Sequence, residues 1–218
     1  MSESPGNVGL NVQRDFFLKY AVIMAMISIP AGILLIILAT MFYPNFSWIS
    51  NTISNMGNVT RGHAYNSASL VNGAYIVAGL GTLPLFLHFA RIYKKSSHRA
   101  LRAGGKLCIF PPIVIACIGI ASENFGVLHI VVSNLFFLLI ALTILFIGCG
   151  WIKMPGERRW AILNFVVLFT AVGMWLVYFT IFEGTNVNQA LFEFATVIDF
   201  TIIAAAYSYK AYKLGLKI

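Results

Sequence analysis

Apolar residues fall in six long blocks separated by short polar stretches: Tyr20–Phe42, Ala64–Ala90, Leu107–Ser122, Val127–Ile152, Trp160–Phe182 and Val187–Tyr209. All but the third hold 20 or more residues, enough at 1.5 Å per residue to cross ~30 Å of hydrocarbon. The blocks are continuous and lack the ten-residue alternation of a membrane strand. Lipid also obliges each span to satisfy its own backbone hydrogen bonds, which a helix does. The pattern predicts an all-α polytopic membrane protein. Its six transmembrane helices form one bundle and a single domain over residues 1–218.

The third block is expected to be irregular. Sixteen residues give roughly 24 Å, and Pro111-Pro112 removes two backbone donors. A short span pulls its flanks inward, which places Glu123 in the membrane interface. Pro30 and Pro84 are expected to kink the first two spans. Between these spans, Phe46–Met56 places Trp48, Ile49, Ile53 and Met56 on one helical face. That predicts a short interfacial helix in the first loop, ended by Gly57. The run Gly73-Ala74-x-x-x-Ala78-Gly79-x-Gly81 predicts close packing of span two.

Composition agrees: 59% of residues are hydrophobic and only 10% charged, with mean hydropathy +0.84, against roughly 25% charged in soluble domains. A water-soluble enzyme and a disordered chain are both excluded. The net charge of +8 has a topological origin. Of the 15 Lys and Arg, only Arg61 falls on the side of the first loop. The positive-inside rule therefore puts both termini in the cytoplasm, and a multi-pass cell-membrane location is expected. The basic surplus meets anionic headgroups, and nucleic acid is not an expected partner. Cys108, Cys117 and Cys149 all lie in apolar blocks and read as reduced core residues.

Polar chemistry collects on the outer side. His129 opens the fourth span, Glu123 precedes it across a short turn, and Ser133 follows one helical turn on, with Asn134 beside it. A carboxylate and a histidine are the minimal unit of acid–base work, and a hydroxyl adds a nucleophile, either Ser133 or Ser54. Asn51, Asn55, Arg61 and Asn134 are candidates for holding a headgroup or an oxyanion. Asp199 lies about 18 Å below the outer surface at 1.5 Å per residue, where an unpaired carboxylate is costly. It is a candidate acid or proton carrier, or a neutral group bonded between helices. No cofactor is expected. The alternative is zinc on His63 and His129 with Glu193 or Glu123, although no short ligand motif supports it. Haem is not expected, because His88 lies near the inner end of its span and His98 in a basic loop, which leaves no pair at similar depths on facing helices.

The run Ile53-Ser-Asn-Met-Gly57, with Asn66 and Gly73, resembles a signature of domain-of-unknown-function family 998, six-span proteins of archaea and bacteria. The stretch Gly119–Phe137, GIASENFGVLHIVVSNLFF, is similar to its second signature. Asn55 and Met56 stand where that family usually has an acidic residue and leucine, so the resemblance implies that any role of that acid falls to Glu123 or Asp199. The family looks distantly similar to DRAM-like and GPI-anchor lipid-remodelling proteins, which implies lipid-linked work at the outer leaflet. The expected function is binding or modifying a membrane lipid, as a hydrolase or acyltransferase. In that role His129 is the base, Glu123 its orienting partner, and Ser54 or Ser133 the nucleophile. Whether the chain is an enzyme stays open at this point. A non-catalytic scaffold or subunit, homo-oligomeric or with a partner membrane protein, is the second reading. A transporter or proton-linked channel is the third.

Overall fold

Within its described residues each apolar block is largely helical in the computed structural model, which describes residues 16–61, 64–182 and 189–216; Val187, the expected start of the sixth block, lies outside them. The helices are α1 (Phe16–Phe42), α2 (Ile53–Met56), α3 (Tyr65–Lys94), α4 (Arg99–Leu107), α5 (Phe110–Ile120), α6 (Val127–Trp151), α7 (Arg158–Val177) and α8 (Ala190–Leu216). α7 continues as one wide turn of π-helix over Tyr178–Phe182. Six helical stretches are long and apolar enough to cross a membrane: α1, α3, α4 with α5, α6, α7 with its π-turn, and α8. Their outer faces carry large apolar side chains, among them Ile27, Val127 and Phe169 at 61%, 76% and 71% exposure. In water such a surface would aggregate; in lipid it is the solvated face.

Two expectations change. The third span is not short, because α4 leads into α5 and the pair runs over Arg99–Ile120. The prolines sit in the first turn of α5, where a missing N–H costs nothing, and the break falls just before them at Cys108–Ile109. Arg99, Arg102 and Lys106 thus belong to the helix rather than to a loop. The interfacial helix is also shorter than the pattern suggested. Thr52 caps it, its hydroxyl accepting from Asn55 N–H at 2.9 Å, so helix begins only at Ile53. Ser47–Asn51 instead closes a turn, with Asn51 N–H on the Ser47 carbonyl at 2.9 Å and Ser47 N–H on Asn51 Oδ1 at 2.8 Å. Ile53 and Met56 are fully buried, while Trp48 and Ile49 stay exposed.

The spans form a closed ring in which α1 packs on α3, α3 on α5, α5 and α4 on α6, α6 on α7, α7 on α8, and α8 back on α1. Close approach rests on particular glycines. A Cβ on Gly79 would lie 2.4 Å from the Pro112 carbonyl oxygen, and one on Gly119 would lie 2.4 Å from that of Asn72, so α3 and α5 touch backbone to backbone. Gly81 instead makes room for the Ser28 side chain of α1, whose Cβ would lie 2.2 Å from an added Cβ, whereas Gly73 faces open space. Of the small-residue run, the later glycines therefore do the packing.

The ring is filled unevenly. At the end rich in Lys and Arg, Phe89, Tyr93, Trp151 and Tyr207 converge as a buried aromatic cluster, with centroids 5.3–6.4 Å apart. Tyr207 donates to Asn164 Oδ1 at 2.6 Å. Lys210 is buried there, bonded to Glu157 and lying over the Trp151 and Trp160 rings at 4.9 and 5.3 Å. The opposite end carries the loop after α1, the Ala121–Gly126 turn and the start of α8. This loop end is hollow.

Candidate functional site at the loop end

The hollow measures about 710 Å3, within the ~300–1,000 Å3 typical of small-molecule sites. Its lower walls are apolar, from Ile33 and Ile36 of α1, Ala78 of α3, Ile115 of α5, Ile140 of α6 and Ile203 of α8. From His129 to Ile140, α6 descends about 16 Å at 1.5 Å per residue. The cavity is thus about as deep as half of a ~30 Å hydrocarbon core, one leaflet. Its charged and amide groups gather at the rim, where Ser54, Asn55, Arg61, Glu123, His129, Ser133, Asn134 and Glu193 all line it. Thr82, Thr196 and Thr201 line it lower down, their hydroxyls donating to carbonyls of their own helices.

The first loop reaches this rim because α2 is pinned at both ends. Its leading N–H groups meet a carboxylate from α8: Ile53 N–H donates to Glu193 Oε2 at 2.7 Å and Ser54 N–H at 3.4 Å. Its trailing carbonyls are held by α3, with Ser67 Oγ donating to Met56 at 3.2 Å and Asn72 Nδ2 to Gly57 at 3.1 Å. With Ile53 and Met56 driven into the core, the intervening Ser54 and Asn55 face the cavity.

Ser54 Oγ then stands between two bases. It lies 2.9 Å from Glu193 Oε1 and 3.3 Å from His129 Nε2. His129 Nδ1 is 2.8 Å from the Ala121 carbonyl oxygen. That oxygen only accepts, so Nδ1 carries a proton and Nε2 is the nitrogen presented to Ser54. One hydroxyl proton cannot serve two acceptors. For both Ser54 contacts to be hydrogen bonds, one further proton sits at Glu193 Oε1 or at His129 Nε2.

Several expected roles are redistributed. Glu123 does not orient His129; the Ala121 carbonyl does. Glu123 instead pairs with Arg61 across the rim at 3.0 Å, because the three-residue 3-10 turn Glu123–Phe125 directs it toward the first loop. The same turn binds that loop twice more, Asn124 Oδ1 accepting from Val59 N–H at 3.1 Å and Asn124 Nδ2 donating to Asn58 Oδ1 at 2.9 Å. Asn51 closes the Ser47 turn and does not line the cavity. Asp199 is likewise away from it, on the α7 side of α8, where Thr170 Oγ1 donates to Oδ2 at 3.0 Å. Arg61, Asn55, Ser133 and Asn134 do reach the cavity wall. His63 lies outside the described residues, and among those described no three His, Cys, Asp or Glu side chains cluster as a metal site.

Glu193 is the residue whose place the sequence least revealed. The sequence marks it only as a possible metal ligand, yet it holds both the start of α2 and the hydroxyl of Ser54. An acid one turn into an apolar span was the available signal. Its partner lay on a loop 139 residues away.

A ring of six membrane-spanning helices around a one-leaflet cavity defines a multi-pass integral membrane protein. The chain belongs to the family described as protein of unknown function (DUF998), whose model matches residues 26–209. No curated protein and no solved structure matches it.

Proposed function

We propose that this protein binds a membrane lipid with an acyl chain in the cavity and cleaves or transfers that chain at Ser54. The observation that carries the reading is the Ser54–His129 contact at 3.3 Å, tautomer set by Ala121, at the rim of an apolar cavity one leaflet deep. Headgroup contacts come from Arg61, Asn55 and Asn134, which share the rim.

In the form with the extra proton on Glu193, Ser54 donates to His129 Nε2. Ser54 Oγ attacks the ester carbonyl carbon as Nε2 takes the hydroxyl proton. The tetrahedral oxyanion collapses, the alcohol leaves with the proton from Nε2, and the acyl group remains on Ser54. Water, or a second alcohol deprotonated by Nε2, then releases it as acid or as new ester. Glu193 keeps Ser54 in register through Ile53 and Ser54 N–H and is a positioning residue. The basic end faces the cytoplasm in this reading, on the charge bias of the connections, and the cavity opens toward the outer leaflet of the cell membrane.

The decisive experiment incubates purified protein with a vesicle-borne phospholipid carrying a labelled acyl chain and follows label on the protein and in released product. Wild type is expected to carry label on Ser54 and to release labelled acid or ester. Ser54→Ala and His129→Gln each lose turnover while staying folded and monodisperse, with a fall in melting temperature no larger than the loss of one or two buried hydrogen bonds. Full turnover by Ser54→Ala sinks the reading. A non-catalytic scaffold or subunit is favoured instead by α7, whose span is the least buried of the six. Unaltered lipid together with a co-purifying membrane partner would decide for it.

A further inference from the structure

The ring has a second hollow at its α6–α7 seam. A groove of about 300 Å3 lies there, floored by two small residues on facing helices, Ala141 and Ala171, and rimmed by Val172, Leu176 and Phe179. The rim residues are 41%, 59% and 55% exposed on the lipid side. Asn134, Phe137, Ile140, Trp175, Phe179, Thr196 and Phe200 line both the groove and the main cavity. The partition between the two hollows is therefore built of side chains. Phe137 stands with its ring centroid 5.6 Å from that of Trp175 and 6.1 Å from that of Phe200. Trp175 is held in turn by its indole N–H on Thr196 Oγ1 at 2.9 Å.

At the loop end the cavity is tied over. Arg61–Glu123, the two Asn124 bonds and the Glu193 bonds to α2 stitch the first loop to the Glu123–Phe125 turn and to α8. A lipid approaching through water would meet these ties and expose its chains. Approaching from the bilayer through the α6–α7 seam, it exchanges one hydrocarbon surrounding for another and displaces only aromatic side chains. The helix distorts beside this seam, where the π-turn Tyr178–Phe182 ends the α7 span, a feature common at functional positions.

We infer that the α6–α7 groove takes the second acyl chain of a two-chain lipid whose first chain lies in the main cavity, the two chains parting at the Phe137–Trp175–Phe200 partition. The groove lies within the spans, so its occupant is hydrocarbon, and no polar group is needed to satisfy it. Both hollows reach Asn134, near the Ser54–His129 rim, so one polar headgroup serves two chains that diverge below it. The smaller groove takes the upper part of its chain, the rest lying among bilayer lipids. This inference rests on the lipid reading of the cavity and names the substrate class as a diacyl lipid that enters sideways.

The full chain is tested in vesicles containing trace phosphatidylcholine with a photoactivatable group on one acyl chain, and separately a photoactivatable fatty acid. Label is mapped by mass spectrometry. Wild type is expected to be labelled by both probes on the α3 cavity wall, and by the two-chain probe also on the groove-lining segments 134–144 and 168–176. Ala141→Phe fills the groove from α6 and Ala171→Phe from α7. Either variant is expected to lower cavity labelling by the two-chain probe about tenfold while fatty-acid labelling stays within about twofold, a loss of ~1.4 kcal/mol for one ligand only. Two-chain labelling unchanged in a monodisperse variant overturns the inference, as does an equal fall for both probes. If both variants fail to fold, absence of two-chain label on the groove segments of wild type overturns it. Labelling as expected without acylation of Ser54 would sink the catalytic reading and leave the groove standing. Labelling by neither probe would remove both.

Discussion

Glu193 and Ser54 stand 139 residues apart in the chain and 2.9 Å apart in space, Oε1 to Oγ. That contact joins the last span to the first loop. Together with the two backbone bonds that Glu193 Oε2 accepts, it decides where Ser54 points. The site is thus assembled by a carboxylate that holds a helix start and a hydroxyl at once.

Glu193→Ala is expected to destabilise the protein by about 1–3 kcal/mol for each buried donor it orphans, read as a lower melting temperature in detergent. Glu193→Gln keeps an acceptor oxygen and is expected to lose clearly less. Equal melting of both variants and wild type would mean that α2 is held by its apolar contacts and its bonds to α3 without help from the carboxylate.

The Arg61–Glu123 pair is half-exposed on the Arg61 side, so its worth in stability is small. A double-mutant cycle with Arg61→Gln and Glu123→Gln is expected to give a coupling of about 0.2–1 kcal/mol in melting experiments. The larger consequence is expected in lipid choice. Arg61→Gln should weaken binding of an anionic phospholipid relative to a zwitterionic one, measured by competition against the photoactivatable probe.

Asp199 bonds Thr170 and does not line the cavity. Asp199→Asn is therefore expected to leave lipid labelling and turnover at wild-type levels. A large loss in that variant, with folding intact, would favour a proton-linked channel or transporter.

Gly119→Val drives a side chain toward the Asn72 carbonyl, which its Cβ would already meet at 2.4 Å, and is expected to cost about 1–3 kcal/mol or more through overpacking. Gly73→Ala, with nothing within 4 Å of the new Cβ, is expected to be neutral or to stabilise by up to about 1 kcal/mol through helix propensity. Thermal melting of the two variants separates contact glycines from the others.

The orientation is testable by thiol labelling. With Cys108, Cys117 and Cys149 replaced by alanine, Ile49→Cys is expected to react with an impermeant maleimide in intact cells, because Ile49 is 64% exposed at the loop end. Lys153→Cys, at the basic end, is expected to react only after lysis. The reverse pattern would turn the bundle over and put the cavity on the cytoplasmic leaflet.

Six spans, the basic end and the polar loop end were all legible in the sequence. Hydrocarbon imposes a length and an apolar composition on each crossing segment, and the apolar runs record both directly. The gathering of Ser54, Asn55, Arg61, Glu123, His129 and Asn134 at one end followed from the same reading, since alternating spans fix which end each residue occupies. The length of the third span did not, because α4 continues the helix through a basic segment that composition assigns to a loop. Pairing was hidden as well. Depth along a span is a property of local sequence, whereas the face a side chain presents, and the helix it meets there, depend on how the ring closes. Glu123 was therefore set beside His129 by proximity in the chain, while in space a short 3-10 turn sends it to Arg61. The position beside Ser54 went to Glu193, and the tautomer of His129 to a backbone carbonyl that has no sequence signature. The amino-acid order thus determined that the chain lies in a membrane, with its polar groups at one end. Only packing of α8 against the first loop, with glycines bringing α3 and α5 into backbone contact, decided which of those groups touch and left a cavity beneath them.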